Sequence, residues 1–261
     1  AGRRRARERR DAPARVALHV RLVLGVEGRP VLDAEALPWR EVAQIVGGVG
    51  LSLGAVGPRA SGSLLPTGCW QPRDNTADSE LWRAFQKTLA GEAAAYQAPP
   101  AGEASGLVLF GDSITERLRG TSLGQPKQEA LDDGLQGMVN ATFRTRWPVL
   151  QLHGVSGDVA EPDLLWRITE GGELSPQMAT DPRLLMSLLI GTNDIGRMNK
   201  TAADTHKSVV AVARALLAGS RGLLLINALL PRAPSPFDIG FGDGTRIDWA
   251  ARLHETNALL A

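Results

Sequence analysis

The sequence predicts an α/β domain whose parallel sheet is covered by helices on both faces. Four short and largely apolar runs are typical of strands buried on both sides; they lie at 107–110, 149–152, 184–190 and 223–226. Helical stretches separate these runs, within 127–146, at 163–168 and at 205–217. Strands that alternate with crossover helices build a parallel sheet, because the helices pack back onto its two faces.

The residues before this pattern are less regular. Alternating apolar residues at 16–24 predict one strand, and a short helix is predicted at 39–46, before a Gly/Pro/Ser-rich loop at 47–76. Asp78 or Ser79 can cap an amphipathic helix that a Pro-rich connector ends. The chain therefore divides into a poorly defined basic region, a helix with its connector and the main domain, at residues 1–76, 77–104 and 105–261. We assign no function to the first of these.

Composition and charge are those of a globular protein with a basic tail. The 261 residues are 43% hydrophobic and 22% charged, enough for one sizeable α/β domain and an appendage. Seven Arg against Glu8 and Asp11 give the first fifteen residues a charge of +5, so the rest of this +1 chain carries −4. Such a block favours a solvated tail over a nucleic-acid arm, and the acidic body predicts no nucleic-acid partner.

The sequence indicates neither a membrane span nor a cofactor. The apolar run at 16–26 is short and is interrupted by His19 and Arg21. Without a Cys/His cluster or a Gly-rich phosphate loop, we predict no metal and no cofactor. Glycosylation sequons at Asn140 and Asn199, with the Arg-rich start, weakly favour a secreted or organellar protein, and the compartment is otherwise open.

A serine follows the first predicted strand directly, in Gly111-Asp112-Ser113-Ile114. The next residues turn helical, which places Ser113 at a helix amino terminus, where backbone N–H groups point outward. This setting suits a nucleophile, because those N–H groups can stabilise an oxyanion. The alternative is that Asp112 or Ser113 only caps the helix.

Two further polar segments follow the next two predicted strands. Gly157 lies in a glycine-containing loop, where the absence of a Cβ lets a backbone N–H approach a ligand. Asn193, in Gly191-Thr192-Asn193-Asp194, carries an NH₂ group that can donate to an oxyanion, unless it or Asp194 caps a helix. Ligands of open α/β sheets bind at the carboxyl ends of the strands. The three segments together therefore predict an acyl-transfer site.

With these segments in order, the chain resembles the SGNH hydrolase superfamily, the GDSL esterases and lipases. Within it, the chain most resembles the branch of the platelet-activating-factor acetylhydrolase catalytic subunits. This finer resemblance rests on intervening and later segments, namely Gly157-Asp158, Leu164-Leu165-Trp166-Arg167, Gly172-Glu173-Leu174, Asn227 to Arg232 and Asn257-Ala-Leu259. The resemblance covers residues 107–261 and implies a three-layer α/β/α sandwich with a parallel, flavodoxin-like sheet.

The resemblance also implies a role for each site residue. Ser113 is expected to be the nucleophile, and its N–H, the Gly157 N–H and the Asn193 side chain are expected to form the oxyanion hole. The general base is expected to be a histidine in a later Asp-x-x-His segment. Because no such segment is present, we expect the chain to end before it, without the last strand and helix, leaving the fourth strand at an exposed edge.

None of the four histidines, His19, His153, His206 and His254, lies in such a segment. His153 ends the second predicted strand, where it could face the site, but a structural role is the favoured interpretation. The leading hypothesis is hydrolysis of small acyl esters, such as acetyl esters of lipid or carbohydrate, through an acyl-serine. An inactive protein that only binds a ligand or partner is the alternative, and so is an acyltransferase of the same fold. The oligomeric state is left open.

Overall fold

A computed structural model describes residues 20–24, 54–55, 77–103, 105–127, 130–232 and 247–261. Residues 20–24, 54–55, 77–79 and 130–133 are described by their backbone alone. The predicted basic tail and the predicted helix at 39–46 lie outside the described residues, as does nearly all of the predicted loop at 47–76.

Strands and helices alternate along the described residues. The strands are β1 (Val20–Leu24), β2 (Gly54–Ala55), β3 (Leu107–Gly111), β4 (Thr121–Ser122), β5 (Gln125–Pro126), β6 (Leu150–Gly154), β7 (Leu185–Leu189) and β8 (Leu223–Asn227). The α-helices are α1 (Ala77–Ala94), α2 (Ser113–Arg117), α3 (Ala130–Val139), α4 (Leu165–Thr169), α5 (Pro176–Thr180), α6 (Thr192–Gly196), α7 (Ala202–Gly219) and α8 (Trp249–Leu260). A π-helical turn, Asn140–Arg144, follows α3, and the segment Ala160–Leu164, in which Glu161 is extended, precedes α4.

The main sheet has the strand order β2-β1-β8-β7-β3-β6, and β4 and β5 form a separate hairpin. Its parallel part comprises β6, β3, β7 and β8. These are the four predicted strands, and their bounds differ from the prediction by at most two residues. The chain runs from β3 to β6 on one side and then crosses to β7 on the other, which is the flavodoxin-like switch. The predicted α/β fold class is confirmed.

Helix α1 begins at Ala77, one residue before the predicted caps. Asp78 and Ser79 therefore lie inside the first turn, and the prediction that one of them is the N-cap is wrong. Sequence patterns locate a helix by its apolar side, which begins here only at Trp82, so they leave its first turn undetermined.

Strand β8 is not an edge strand, contrary to the expectation from the missing family segment. Strand β1 runs antiparallel to it, with Val20 opposite Asn227 and Val23 opposite Leu224. This pairing supplies partners for backbone groups that an edge strand would expose. The alternating pattern at 16–24 predicted the strand but not its place, because pairing across 200 residues leaves no local sign in the sequence.

Apolar side chains cover both faces of the parallel strands. On one face, Val108 and Phe110 of β3 pack in a cluster with Val209, Val212 and Leu216 of α7. On the other face, the cluster consists of Leu107, Leu150 and Leu152 with side chains from and after α3, namely Val139, Phe143 and Trp147. The result is a three-layer sandwich, and burial on both faces explains why these strands have nearly continuous apolar sequences.

The short helix α2 packs directly against the end of β6. A Cβ added to Gly154 would lie 2.3 Å from the Glu116 backbone nitrogen and 2.6 Å from the Asp112 carbonyl oxygen. These are backbone atoms, which cannot rotate away as a side chain can. Glycine at 154 therefore lets the loop after β3 approach the loop after β6.

We predict that Gly154→Ala lowers the free energy of unfolding by about 2–3 kcal/mol, because the added methyl overpacks two backbone segments. Gly91→Ala in α1 is the matched control, since its Cβ meets no atom within 4 Å. That change should raise the stability by about 0.5–1 kcal/mol, as alanine favours a helix. Urea unfolding measures both, and equal stability of the two variants would contradict the close approach.

Candidate active site

The carboxyl ends of three neighbouring strands lie level with one another. Gly111 at the end of β3 pairs with Gly154 of β6 on one side and with Leu189 of β7 on the other. The segments that follow these ends contain Ser113, Gly157 and Asn193. The second and third segments are also joined directly, because the Asn193 Nδ2 donates to the Asp158 carbonyl oxygen at 2.8 Å.

Ser113 is the first residue of α2, and Asp112 is its N-cap. The Asp112 Oδ1 accepts a hydrogen bond from the Ile114 N–H at 2.9 Å. Asp112 thus performs the capping that was the alternative role for Ser113. The Ser113 side chain is partly exposed, and no residue in the described part of the chain hydrogen-bonds to its hydroxyl.

Residues 155–158 form a tight turn, which we call the 155–158 turn. The Asp158 N–H donates to the Val155 carbonyl oxygen at 3.2 Å, and Gly157 has a φ of 82°. A positive φ at the third position is the requirement of a type II turn, which explains the glycine. The Arg197 Nη1 donates to the Gly157 carbonyl oxygen at 2.7 Å and so fixes the orientation of this turn.

Asn193 and Asp194 lie inside α6, whose N-cap is Gly191, so the interpretation of either side chain as a helix cap is wrong. An amide NH₂ has two hydrogens, and the bond from Asn193 to Asp158 uses one of them. The Asp194 carboxylate accepts from the Ala160 N–H and from the Lys200 Nζ, both at 2.8 Å. Burial raises the pKa of Asp194, and Lys200 opposes that shift.

A buried guanidinium holds the ends of β3 and β6 together. Arg167 of α4 is fully buried and donates to the Gly111 carbonyl oxygen at 3.3 Å and to the His153 carbonyl oxygen at 2.9 Å. It also donates to Asp158 at 2.8 Å and to both oxygens of Glu173, at 2.8 and 2.6 Å. Because Asp158 is the last residue of the 155–158 turn, Arg167 links this turn to the ends of β3 and β6.

The carboxylates around Arg167 are also fully buried. Desolvation alone would raise the pKa of Glu173, but Arg167 and His153 lower it below its usual range. Desolvation alone would lower the pKa of Arg167, and its two carboxylate partners raise it instead. The Trp82 Nε1 donates to the Asp158 Oδ1 at 2.6 Å, which ties α1 to the same network. Arg167 and Glu173 belong to the segments that carry the family resemblance, but the sequence gave no indication that they pair.

His153 is a structural residue, as the sequence analysis favoured. It is fully buried, with its Nδ1 3.0 Å from the Glu173 Oε2 and its Nε2 3.1 Å from the Gln151 Oε1. With both ring nitrogens engaged, it is not available as a base for Ser113. His206 and His254 lie on α7 and α8, and neither is hydrogen-bonded to Ser113. His19 lies outside the described residues.

Asp112 is a fully buried carboxyl group whose Oδ2 has no hydrogen-bond partner. The pKa of Asp112 is raised to about 7, mainly by burial; the nearby Asp194 also raises it, while the hydrogen bond from the Ile114 N–H and the charge of Arg232 lower it. The Arg232 guanidinium lies 4.3 Å from the centre of the Trp249 ring and donates to the Thr192 Oγ1 at 3.3 Å. Arg232 was seen in the sequence only as part of the resemblance, so its place beside this site was not predicted.

A family model, the GDSL-like lipase/acylhydrolase family, matches residues 109–261, which is more than half of the chain. The chain belongs to this family. A search of curated proteins found no match.

This GDSL-like fold carries neither a metal cluster nor a spanning helix in its described part. No three His, Cys, Asp or Glu side chains there are grouped to hold a metal ion. No helix there is long and apolar enough to cross a membrane. Both findings concern the described ranges alone.

We predict that Asp112 makes the stability fall as pH rises. Its pKa is 3.8 ordinarily and about 7 in the fold, so between these values the folded state binds a proton that the unfolded state has lost. The free energy of unfolding then decreases from pH 4 to pH 7 and levels off above it. Asp112→Asn should lack this decrease. Urea unfolding of both proteins at several pH values measures it, and the difference between their free energies of unfolding should change from pH 4 to pH 7.

Asp204→Asn is the control for this measurement. Asp204 is exposed, and its pKa is lowered mainly by Thr201, so its contribution changes only as pH falls below about 4. Its difference curve should be flat from pH 4 to pH 7. A flat curve for Asp112→Asn over the same range would contradict the assignment.

We predict that Arg167→Met lowers the free energy of unfolding by about 3–5 kcal/mol, because it leaves two buried carboxylates without their cation. Arg214→Met on the exposed side of α7 is the control and should change stability by less than about 0.5 kcal/mol. Chemical denaturation measures both. If Arg167→Met changed the free energy of unfolding as little as Arg214→Met does, the Arg167 network would not be what holds the strand ends together.

Proposed function

We propose that the chain is a serine ester hydrolase that acts through an acyl-serine intermediate. The family supports acyl-ester hydrolysis in general terms. The observation that carries the proposal is the level arrangement of three strand ends, with Ser113 after one and Gly157 and Asn193 after its two neighbours. One attacking oxygen and donors for a tetrahedral intermediate are what acyl transfer requires.

In the proposed reaction the Ser113 Oγ attacks the acyl carbon and loses its proton to a base. The carbonyl oxygen becomes an oxyanion, which the backbone N–H groups of Ser113 and Gly157 and the Nδ2 of Asn193 stabilise. The oxyanion collapses, the alcohol leaves with a proton, and the acyl group stays on Ser113. Water then attacks the acyl-serine, which releases the carboxylic acid and restores the hydroxyl.

The base of the proposed reaction is a histidine of an Asp-x-x-His segment, by the resemblance to SGNH hydrolases. The 261 residues contain no such segment, and His153, one residue before the end of β6, is held by Glu173 and Gln151. This favours a second candidate function: a protein that binds an acyl ester or a partner without turning it over. An acyltransferase would need the same residues as the hydrolase.

The proposed substrates are small acyl esters, such as acetyl esters of lipid or carbohydrate. This finer assignment rests on the likeness to the platelet-activating-factor acetylhydrolase catalytic subunits. The segments that carry the likeness, Leu164-Leu165-Trp166-Arg167 and Gly172-Glu173-Leu174, include Arg167 and Glu173, which pair in the buried network.

We predict that Ser113→Ala abolishes hydrolysis of p-nitrophenyl acetate, lowering kcat by at least about 10³-fold, because no other group replaces the attacking oxygen. Ser105→Ala is the matched control, since it removes a hydroxyl just before β3, at the opposite end of the strand that leads to Ser113. The release of p-nitrophenol, with its initial burst, measures both.

The outcomes separate the two candidate functions. Turnover that both variants retain would contradict Ser113 as the nucleophile. Absence of turnover in the wild-type chain, with binding of the ester detected by calorimetry, would favour the binding protein over the hydrolase.

A further inference from the structure

Glu116 is a buried carboxylate that the proposed reaction does not use. It lies on α2, three residues after Ser113, and is fully buried. Its Oε1 accepts hydrogen bonds from the Thr121 Oγ1 and the Gly124 N–H, both at 2.9 Å. Its Oε2 accepts from the Ser156 N–H at 2.6 Å.

These three bonds join three separate elements. Ser156 belongs to the 155–158 turn, Thr121 and Gly124 belong to the β4–β5 hairpin, and Glu116 itself belongs to the helix that begins with Ser113. The hairpin and the turn also contact each other, through the Ser122 hydroxyl, which lies 3.2 Å from that of Ser156. Glu116 therefore fixes the distance between the serine and the 155–158 turn.

The chemistry of the contacts suits a carboxylate and no other side chain of this size. All three partners are N–H or O–H donors, and an ionised carboxylate is acceptor-only on both oxygens. Hydrogen bonds to a charged acceptor are shorter and stronger than neutral ones, in agreement with the 2.6 Å bond to Ser156. Three such bonds offset the cost of removing the carboxylate from water.

The 155–158 turn is held on both sides of the peptide that carries the Gly157 N–H. Glu116 holds the Ser156 N–H on one side of this peptide, and Arg197 holds the Gly157 carbonyl oxygen on the other. With both neighbouring peptides held, the Cα atoms of Ser156 and Gly157 stay in place, and the positive φ of Gly157 sets the direction of its N–H. The position of the Gly157 N–H therefore depends on both side chains.

We propose that Glu116 is a positioning residue that holds the Gly157 N–H at the oxyanion site of Ser113. This inference rests on the proposed hydrolase function and adds a residue to it. Glu116 acts through the turn and does not touch the substrate. Its loss should weaken stabilisation of the transition state more than binding of the ester, so kcat should fall while KM changes little.

The variant Glu116→Gln tests the carboxylate with almost no change in shape. If the amide oxygen stays with Thr121 and Gly124, the NH₂ group faces the Ser156 N–H, and two donors oppose each other. If the amide is reversed, Ser156 keeps its acceptor, but the Gly124 N–H loses one. Glutamine therefore cannot satisfy all three donors in either orientation.

The experiment measures two quantities, hydrogen exchange of the Ser156 amide by NMR and the steady-state constants for p-nitrophenyl acetate. Glu116→Gln should speed exchange at Ser156 at least about tenfold and lower kcat about 10- to 100-fold, with KM within about twofold. Thr121→Val removes one bond to the same carboxylate and leaves Ser156 in place. Thr121→Val should lower the free energy of unfolding about as much as Glu116→Gln does, but it should lower kcat much less. Glu170→Gln, at an exposed position, should change neither quantity.

The two readouts keep this inference separate from the proposed function. Unchanged exchange at Ser156 in Glu116→Gln would overturn the inference whatever the turnover. Faster exchange with an unchanged kcat, or a loss of kcat equal to that of Thr121→Val, would overturn the positioning role while leaving the hydrolase intact. Wild-type turnover that does not depend on Ser113 would overturn the hydrolase itself, and the positioning role with it.

Discussion

The arrangement of the site depends on one buried cation. Arg167 binds the last carbonyl oxygen of β3 and the Asp158 carboxylate at the same time, so the loop after β3 cannot shift relative to the 155–158 turn. Glu173 balances its charge and also holds His153 in the strand that precedes the turn. A guanidinium suits this position because its planar group of donors reaches several fixed acceptors at once.

The buried carboxylates in and around this network differ in their partners. Asp158 and Glu173 are paired with Arg167, Asp194 is paired with Lys200, and Glu116 is bound by three hydrogen-bond donors. Asp112 has one bond to the helix it caps and an oxygen with no partner, and its pKa rises to about 7. The partners determine the free energy needed to bury each carboxylate, since an uncompensated buried charge destabilises the fold far more than a hydrogen-bonded one.

The sequence predicted the strands and the polar residues at their ends, because both leave local signs. A strand buried on two faces is apolar throughout, and Ser113, Gly157 and Asn193 each follow such a run. It did not predict the partners of Glu116 or Arg167, or the strand that pairs with β8. These contacts join residues that are far apart in the chain or on different elements, so neither periodicity nor spacing marks them. The prediction of an N-cap at Asp78 or Ser79 was wrong for a simpler reason, which is that the apolar side of α1 begins after its first turn.

The contacts that shape the proposed oxyanion site do not involve a histidine. The Ser156 N–H is held by Glu116, the Gly157 carbonyl oxygen by Arg197 and the Asp158 carbonyl oxygen by Asn193, and each of these groups lies in the described part of the chain. The donors proposed for an oxyanion are therefore held by groups other than the one that would take the serine proton. Binding of a tetrahedral analogue and turnover of an ester are then separable properties, because the first requires the donors and the second requires a base as well.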